Sequence, residues 1–338
     1  MDAVHLGLSA VVFLIAVALL FDVMNGLHDA ANSIATVVST NVLSPKMAVI
    51  WAAIFNFIAF LFFGLQVAKT MGTGIVSEQM IDGSVLFAGL FGAIAWDAIT
   101  WWAGLPSSSS HALVGGLVGA GLAKAGSDAI VWTGVLKTVV AIVVSPLVGL
   151  LLALTAMIGL SWLVLRQNPF VVDRAFRILQ FCSASLYSLG HGGNDAQKTM
   201  GIIAALLFTQ GYLGGEFHVP FWVVLSCHAA MAIGTLIGGW RIVRTMGSRI
   251  THIKPMQGFC AELGGAATIF TAIASGTPIS TTHTIAGSIT GVGMARKGST
   301  VRWDVALDII FAWVLTLPAA GLIAMLIYFA TGLLARGA

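Results

Sequence analysis

Two stretches of this chain gather groups that an apolar setting ordinarily excludes. FDVMNGLHDAANSIATVVST places Asp22, Asn25, His28, Asp29, Asn32 and Ser33 beside a long apolar run, and YSLGHGGNDAQKTMGIIAAL offers His191, Asn194, Asp195, Gln197, Lys198 and Thr199. Two hydroxyl runs accompany them: Ser108, Ser109 and Ser110 ahead of His111, and Ser280, Thr281 and Thr282 ahead of His283. Together these groups read as an oxyanion site coupled to a cation. Hydroxyls, free N–H groups at helix starts and a lysine suit a tetrahedral oxyanion. A carboxylate adds an acceptor for the proton that phosphate still carries near neutral pH and sulfate does not. Asp29 and Asp195 equally suit Na+ or a phosphate-bound divalent metal, since hard cations take oxygen ligands, or the driving proton itself. The residues leave these roles open, and no metal site is assigned.

The rest of the chain says where such a site must lie. Of 338 residues, 58% are hydrophobic and 9% charged, with a mean hydropathy of +0.97. A soluble globule carries roughly 25% charged residues, so this surface faces lipid. The net charge of +3 is spread through short loops and forms no basic stripe for nucleic acid. Cys182, Cys227 and Cys260 match neither zinc nor disulfide spacing and read as reduced packing residues. No basic segment precedes the apolar run 6–21, so it reads as a first transmembrane helix rather than a signal peptide.

A helix needs about 20 mostly apolar residues to cross the hydrocarbon. Such segments lie near 3–24, 46–68, 84–104, 132–165, 176–190, 199–215, 219–240, 258–276 and 303–333. Those at 132–165 and 303–333 are long and carry Pro146 and Pro318, which predicts a bend or two elements in each. Four blocks recur in order. Asp29-Ala30 returns as Asp195-Ala196. Pro45, Gly64 and Thr70-Met71-Gly72 return as Pro220, Gly239 and Thr245-Met246-Gly247. PSSSSHALVGGLVGAG returns as PISTTHTIAGSITGVG, and Pro146 with Gly149 returns as Pro318 with Gly321. The offsets are 166, 175, 172 and 172 residues. Such duplication marks secondary transporters, whose substrate sits between the repeats. The expected fold is therefore an all-α polytopic membrane protein. It forms one transport domain over 1–338, made of two inverted-topology repeats, about 1–165 and 170–338, with broken helices and two re-entrant hairpin segments.

Gly26, Gly192 and Gly193 predict unwound helix at the two aspartate motifs. The segments 106–121 and 278–293 are too short and polar to cross, so each should enter and return on one side, presenting a helix N-terminus to the anion. His111 and His283 could bind, relay a proton or hold these tips. Asp97 and Glu262, in the preceding helices, are candidate proton or cation carriers, as is Asp22. His228 reads as a packing histidine, and Lys137 and Asp308 receive no role.

At these residues the chain resembles the PiT family of inorganic phosphate transporters, in GLHDAANS and GGNDAQKTMG and in LPSSSSHALVGG and TPISTTHTIAGS; the GGNDAQKTMG form resembles the compact bacterial branch. The resemblance implies a plasma (inner) membrane homodimer that imports phosphate by alternating access, in symport with H+ or Na+. It implies a site drawn from Asn25, Asp29, Asn32, Ser33, Asn194, Asp195, Lys198 and Thr199, completed by Ser108, Ser109, Ser110, Ser280, Thr281 and Thr282. Lys198 stands opposite Asn32 in the two motifs and favours H+ over Na+. No cofactor and no enzymatic chemistry are expected. A sulfate permease of the same build and an anion channel are the alternatives. Arg241, Arg244, Arg249 and Lys254 place their loop in the cytoplasm, and Arg166, Arg174 and Arg177 place the loop between the halves there too.

Overall fold

The computed structural model describes residues 6–295 and 301–337, with side chains to 333. Among the described residues the chain is helical almost throughout: α1 (Leu8–Ser39), α2 (Pro45–Ile58), α3 (Gln66–Thr73), α4 (Gly83–Ala103), α5 (Ser109–Ala125), α6 (Trp132–Leu163), α7 (Pro169–Thr209), α8 (Phe221–Ile237), α9 (Trp240–Arg244), α10 (Pro255–Ala274), α11 (Thr281–Met294) and α12 (Trp303–Gly337). In lipid this is forced, because a helix satisfies its backbone N–H and C=O groups internally. Four of these helices are each long and apolar enough to cross a membrane, or six spans if each of two bent pairs counts as one.

The first six helices correspond in order to the last six, and the matched helices α1 and α7 run antiparallel. At one end the Leu6 N–H donates to Gln210 Oε1 (2.7 Å). At the other, Arg177 donates to the Asn41 carbonyl (3.1 Å) and the Thr40 hydroxyl to Gln180 Oε1 (2.9 Å). The repeats are therefore inverted. This second end also holds the other basic loop, where Gly247 packs on Ala35 and Ser39 of α1. Both basic groups thus share one end of the bundle.

The helix breaks are present, but at other positions than the aspartate motifs. α1 and α7 run unbroken through them, for 32 and 41 residues, and the segments 176–190 and 199–215 belong to the single helix α7. The glycines serve close packing instead: a Cβ on Gly26 would lie 2.2 Å from the Met231 carbonyl oxygen, and one on Gly192 2.5 Å from that of Asn56. The breaks fall in the following pair. α2 and α3 meet at 85°, and α8 and α9 at 64°, α9 continuing as a π turn over Thr245–Arg249. These bends sit at Gly64 and Gly238-Gly239, within the second recurring block. The free N–H groups of Val67 and Ala68 at the start of α3 are capped from α7 by Gln197 Oε1 (3.1 and 3.2 Å). α6 and α12 are each one helix with Pro146 or Pro318 inside, not two elements.

α4 with α5, and α10 with α11, form the two hairpins. Gly104 and its counterpart Gly276 adopt left-handed backbone (φ 71° and 62°) that reverses the chain. Ser108 then accepts from the His111 N–H (3.3 Å) and Ser280 from the His283 N–H (3.2 Å), capping α5 and α11. The hairpins are exchanged between repeats, α5 packing on α12 and α11 on α6. Glycine makes this possible: a Cβ on Gly119 would lie 2.0 Å from the Gly321 oxygen, and one on Gly291 2.3 Å from that of Leu150. Gly119→Val and Gly291→Val should each destabilise the fold by ~3 kcal/mol or more, read as loss of monodisperse protein in size-exclusion chromatography. Gly159→Ala, with nothing within 4 Å, should shift stability by less than about 0.5 kcal/mol.

Candidate functional site

The crossing of α1 and α7 meets the two hairpin tips at one buried cluster. All nineteen residues named for the site or for coupling are at most 6% exposed, Ser110 being the most open. The hydroxyl of Ser110 lies 3.5 Å from the Ile279 carbonyl oxygen, and the rings of His111 and His283 are 4.6 Å apart. The N-termini of α5 and α11, with their positive dipole ends, therefore converge on the aspartates.

Asp195 carries the denser set of contacts. Its Oδ1 accepts from Lys198 and from Asn194 Nδ2 (2.7 Å), and its Oδ2 from the Thr281 hydroxyl (2.9 Å), with His191 Nε2 at 3.2 Å. Lys198 also donates to the Ser110 hydroxyl and to the Ile279 carbonyl (2.9 Å). Asp29 is held more lightly, by His28 Nδ1 (2.8 Å) and the Thr282 hydroxyl (3.4 Å). Asn32 Nδ2 donates to both threonine hydroxyls (3.3 and 2.9 Å), which leaves their protons for the carboxylates. Ligand atoms of Asp29, His191 and Asp195 all lie within 4.8 Å of one another, close enough to share one cation or proton.

The remaining residues divide by distance from this centre. Thr199 donates to Asp22 Oδ1 (2.7 Å), and Ser33 sits 3.2 Å from His191 Nδ1. Asn25 Oδ1, Asn32 Oδ1, Asn194 Oδ1 and Ser109 Oγ are among the buried polar atoms without a hydrogen-bond partner. Ser108 and Ser280 are helix caps. Asp97 and Glu262 are not equivalent to each other. Both Asp97 oxygens are unpartnered, in the electrostatic reach of His28 and Asp29. Glu262 is tied off by Gln180 Nε2 (3.1 Å) and Ser183 towards the end of the bundle that carries the basic loops. His283 stacks on Trp313 (3.8 Å), whose Nε1 donates to the Pro106 carbonyl (3.0 Å), so this histidine braces the tips. His228 packs on Phe60 and contacts the Asn56 carbonyl oxygen (2.9 Å), as expected of a packing histidine. Cys227 and Cys260 are buried, whereas Cys182 faces outward. Lys137 and Asp308 lie exposed near the starts of α6 and α12.

Two residues grouped with the motifs but left out of the set that the resemblance implies, His28 and His191, each contact an aspartate; His191 sits one helical turn before Asp195. Thr100 and Ser107 reach His28 Nε2 at 3.0 and 3.2 Å from the first hairpin; Ser107 opens the hydroxyl run whose later serines alone were named, and nothing in its local sequence marks Thr100.

A family model described as the phosphate transporter family matches residues 25–324. A probable low-affinity inorganic phosphate transporter of Rhizobium meliloti (strain 1021) is 66% identical over 335 residues, covering 99% of this chain and all of that one. One of the same description from Bacillus subtilis (strain 168) is 41% identical over 320 residues, covering 94% and 96%. A solved structure described as the sodium-dependent phosphate transporter shares the fold, with a TM-score of 0.86 over 96% of this chain and all of that one, at 23% identity.

The two aspartates should differ in what their loss costs. Asp195→Asn strands the buried Lys198 ammonium and should destabilise the protein by about 3–5 kcal/mol. Asp29→Asn should cost about 1–2 kcal/mol, because His28 can shed its proton. Thermal unfolding in detergent, with Asp195→Asn melting well below Asp29→Asn, checks this order.

Proposed function

This chain belongs to the phosphate transporter family, a family of multi-pass membrane transporters rather than enzymes, and we propose that it imports inorganic phosphate by alternating access in symport with a proton. The observation that carries this reading is the convergence of Asp29, His191 and Asp195 within 4.8 Å beneath two opposed helix N-termini. Carboxylates that close repel each other in an apolar bundle unless positive charge stands beside them, as Lys198 does beside Asp195, and an arriving oxyanion needs the same neutralisation. The unpartnered Ser109 hydroxyl is a free donor and Lys198 a positive charge for it, and the Thr281 and Thr282 hydroxyls, now on Asp195 and Asp29, could turn to it as the carboxylates take up a proton or cation. Asp29, bound only by His28 and Thr282, is the carboxylate free to take the proton of phosphate. Its relatives' descriptions as phosphate transporters support the same substrate.

The site is closed on both sides here, as an occluded intermediate requires. α4 packs along α1 and α10 along α7, so rocking each hairpin against its partner helix would open the cluster alternately to each face. The bends at α2/α3 and α8/α9 are the points where such motion is absorbed. The plasma (inner) membrane, the homodimer and a cytoplasmic face for both basic loops complete the proposal, on the family resemblance and the positive-inside rule.

Labelled phosphate uptake into proteoliposomes, with a proton or sodium gradient imposed separately and excess unlabelled sulfate present, tests the reading. Saturable uptake that follows the proton gradient and ignores sulfate is expected, and Asp29→Asn should lower it more than ~10-fold, the equivalent of about 1.4 kcal/mol. Uptake abolished by sulfate would assign the sulfate permease activity instead. Uptake that follows only the sodium gradient would replace the coupling ion, and uptake that neither saturates nor follows a gradient would make the chain a channel.

A further inference from the structure

The inverted repeats allow each contact in one half to be compared with its counterpart in the other. The aspartate motifs are offset by 166 residues and the hairpins by 172, so Lys198 corresponds to Asn32, Asp195 to Asp29, Ser110 to Thr282 and Ile279 to Ser107. The contacts obey this matching. Lys198 reaches Ser110 on the first hairpin as Asn32 reaches Thr282 on the second (2.9 Å). This position thus holds an ammonium in one half and a carboxamide in the other, as the same offset sets Asn194 and His191 against His28 and Asn25.

The surroundings of that ammonium are those of a bound cation. Its three N–H donors are spent on a carboxylate oxygen of Asp195, the Ser110 hydroxyl and the Ile279 carbonyl. A carboxylate, a hydroxyl and a backbone carbonyl are also what a hard monovalent cation takes. The other half offers a carboxylate and a hydroxyl, Asp29 and Thr282 at 3.4 Å, with no lysine or arginine beside them; Asp29 has instead His28 Nδ1 at 2.8 Å on its Oδ1. There the Asn32 carboxamide oxygen, 99% buried, has no partner. An unpartnered buried oxygen three residues along the helix from a carboxylate is an acceptor that a cation would satisfy.

We propose that Lys198 is a built-in cation, standing where the opposite half takes up a mobile one at Asn32, Asp29 and Thr282. Each transport cycle then needs one mobile cation fewer than a symmetric site would, and with the proton of the symport reading as that remaining cation, uptake needs no sodium. The proposal deepens the symport reading above and rests on it. It makes Lys198 the residue that selects the coupling stoichiometry rather than only a phosphate ligand.

The test replaces Lys198 by the residue of its counterpart. Full-length wild type and Lys198→Asn are reconstituted, and phosphate uptake is measured in sodium chloride and in choline chloride at one pH; thermal unfolding is followed in the same salts without phosphate. Lys198→Asn should lose at least ~10-fold of its uptake in choline, regain it in 100 mM sodium, on the order of the salt needed for a weak site, and gain a sodium-specific rise in melting temperature that wild type lacks. Sodium-free uptake at the wild-type rate, or a folded variant that sodium neither stabilises nor restores, would overturn the proposal. If Lys198→Asn does not fold, Asn32→Lys asks the converse: a second fixed ammonium should make phosphate flux indifferent to either gradient, and flux that still follows one would overturn it. A wild type that carries no phosphate refutes the transport reading alone, while the sodium-specific melting shift still decides the role of Lys198.

Discussion

The buried ion pair between Lys198 and Asp195 sets terms for everything around it. Removing two charges from water costs several kcal/mol per ion, and their attraction repays this only where the remaining hydrogen-bonding capacity is met. The protein meets it with groups from distant parts of the chain: Asn194 beside the pair, Thr281 and the Ile279 carbonyl from the second hairpin, and Ser110 from the first. An apolar bundle can therefore hold the pair only if both hairpin tips reach the centre together. The site and the exchanged packing of the repeats are one structural requirement.

Close packing supplies that reach. In lipid there is no hydrophobic drive between helices, and small residues let backbones approach. Gly119 against Gly321 and Gly291 against Leu150 seat each hairpin on the last helix of the other repeat. Gly26 and Gly192 do the same where the aspartate helices meet α8 and α2. These contacts position the tips without spending any polar group, which leaves the hydroxyls and carboxamides for the site.

Much of this was legible in the residues. Repetition gave the inverted halves, since four blocks in constant order have one economical explanation. Type and spacing gave the hydroxyl tips and the aspartates. The helix breaks were displaced because glycine has two uses in membranes, unwinding and close approach, and sequence does not separate them: Gly26 and Gly192 serve approach, whereas Gly64 and Gly238-Gly239 mark the bends. α7 was divided because its polar centre lowers its hydropathy, although a helix buried among others needs no continuous apolar run. Asp97 and Glu262 looked alike as lone acids in hairpin helices, but they stand nine and sixteen residues before their tip prolines, Pro106 and Pro278, and that difference separates an acid near the centre from one near the bundle end. Thr100 could not be found, because only the folded hairpin brings it to His28, whereas Ser107 stood in the hydroxyl run beside the serines that were named.

The central claim is that the two repeats build one site, not two. Calorimetric titration of phosphate into the purified protein counts it directly, with Asp29→Asn, Asp195→Asn and the double variant measured alongside. One site predicts one phosphate per chain, a large loss of affinity in either single variant, and a double variant hardly worse than the weaker single, because both side chains serve the same ligand. Two phosphates per chain, with each substitution removing one and leaving the other, would contradict it.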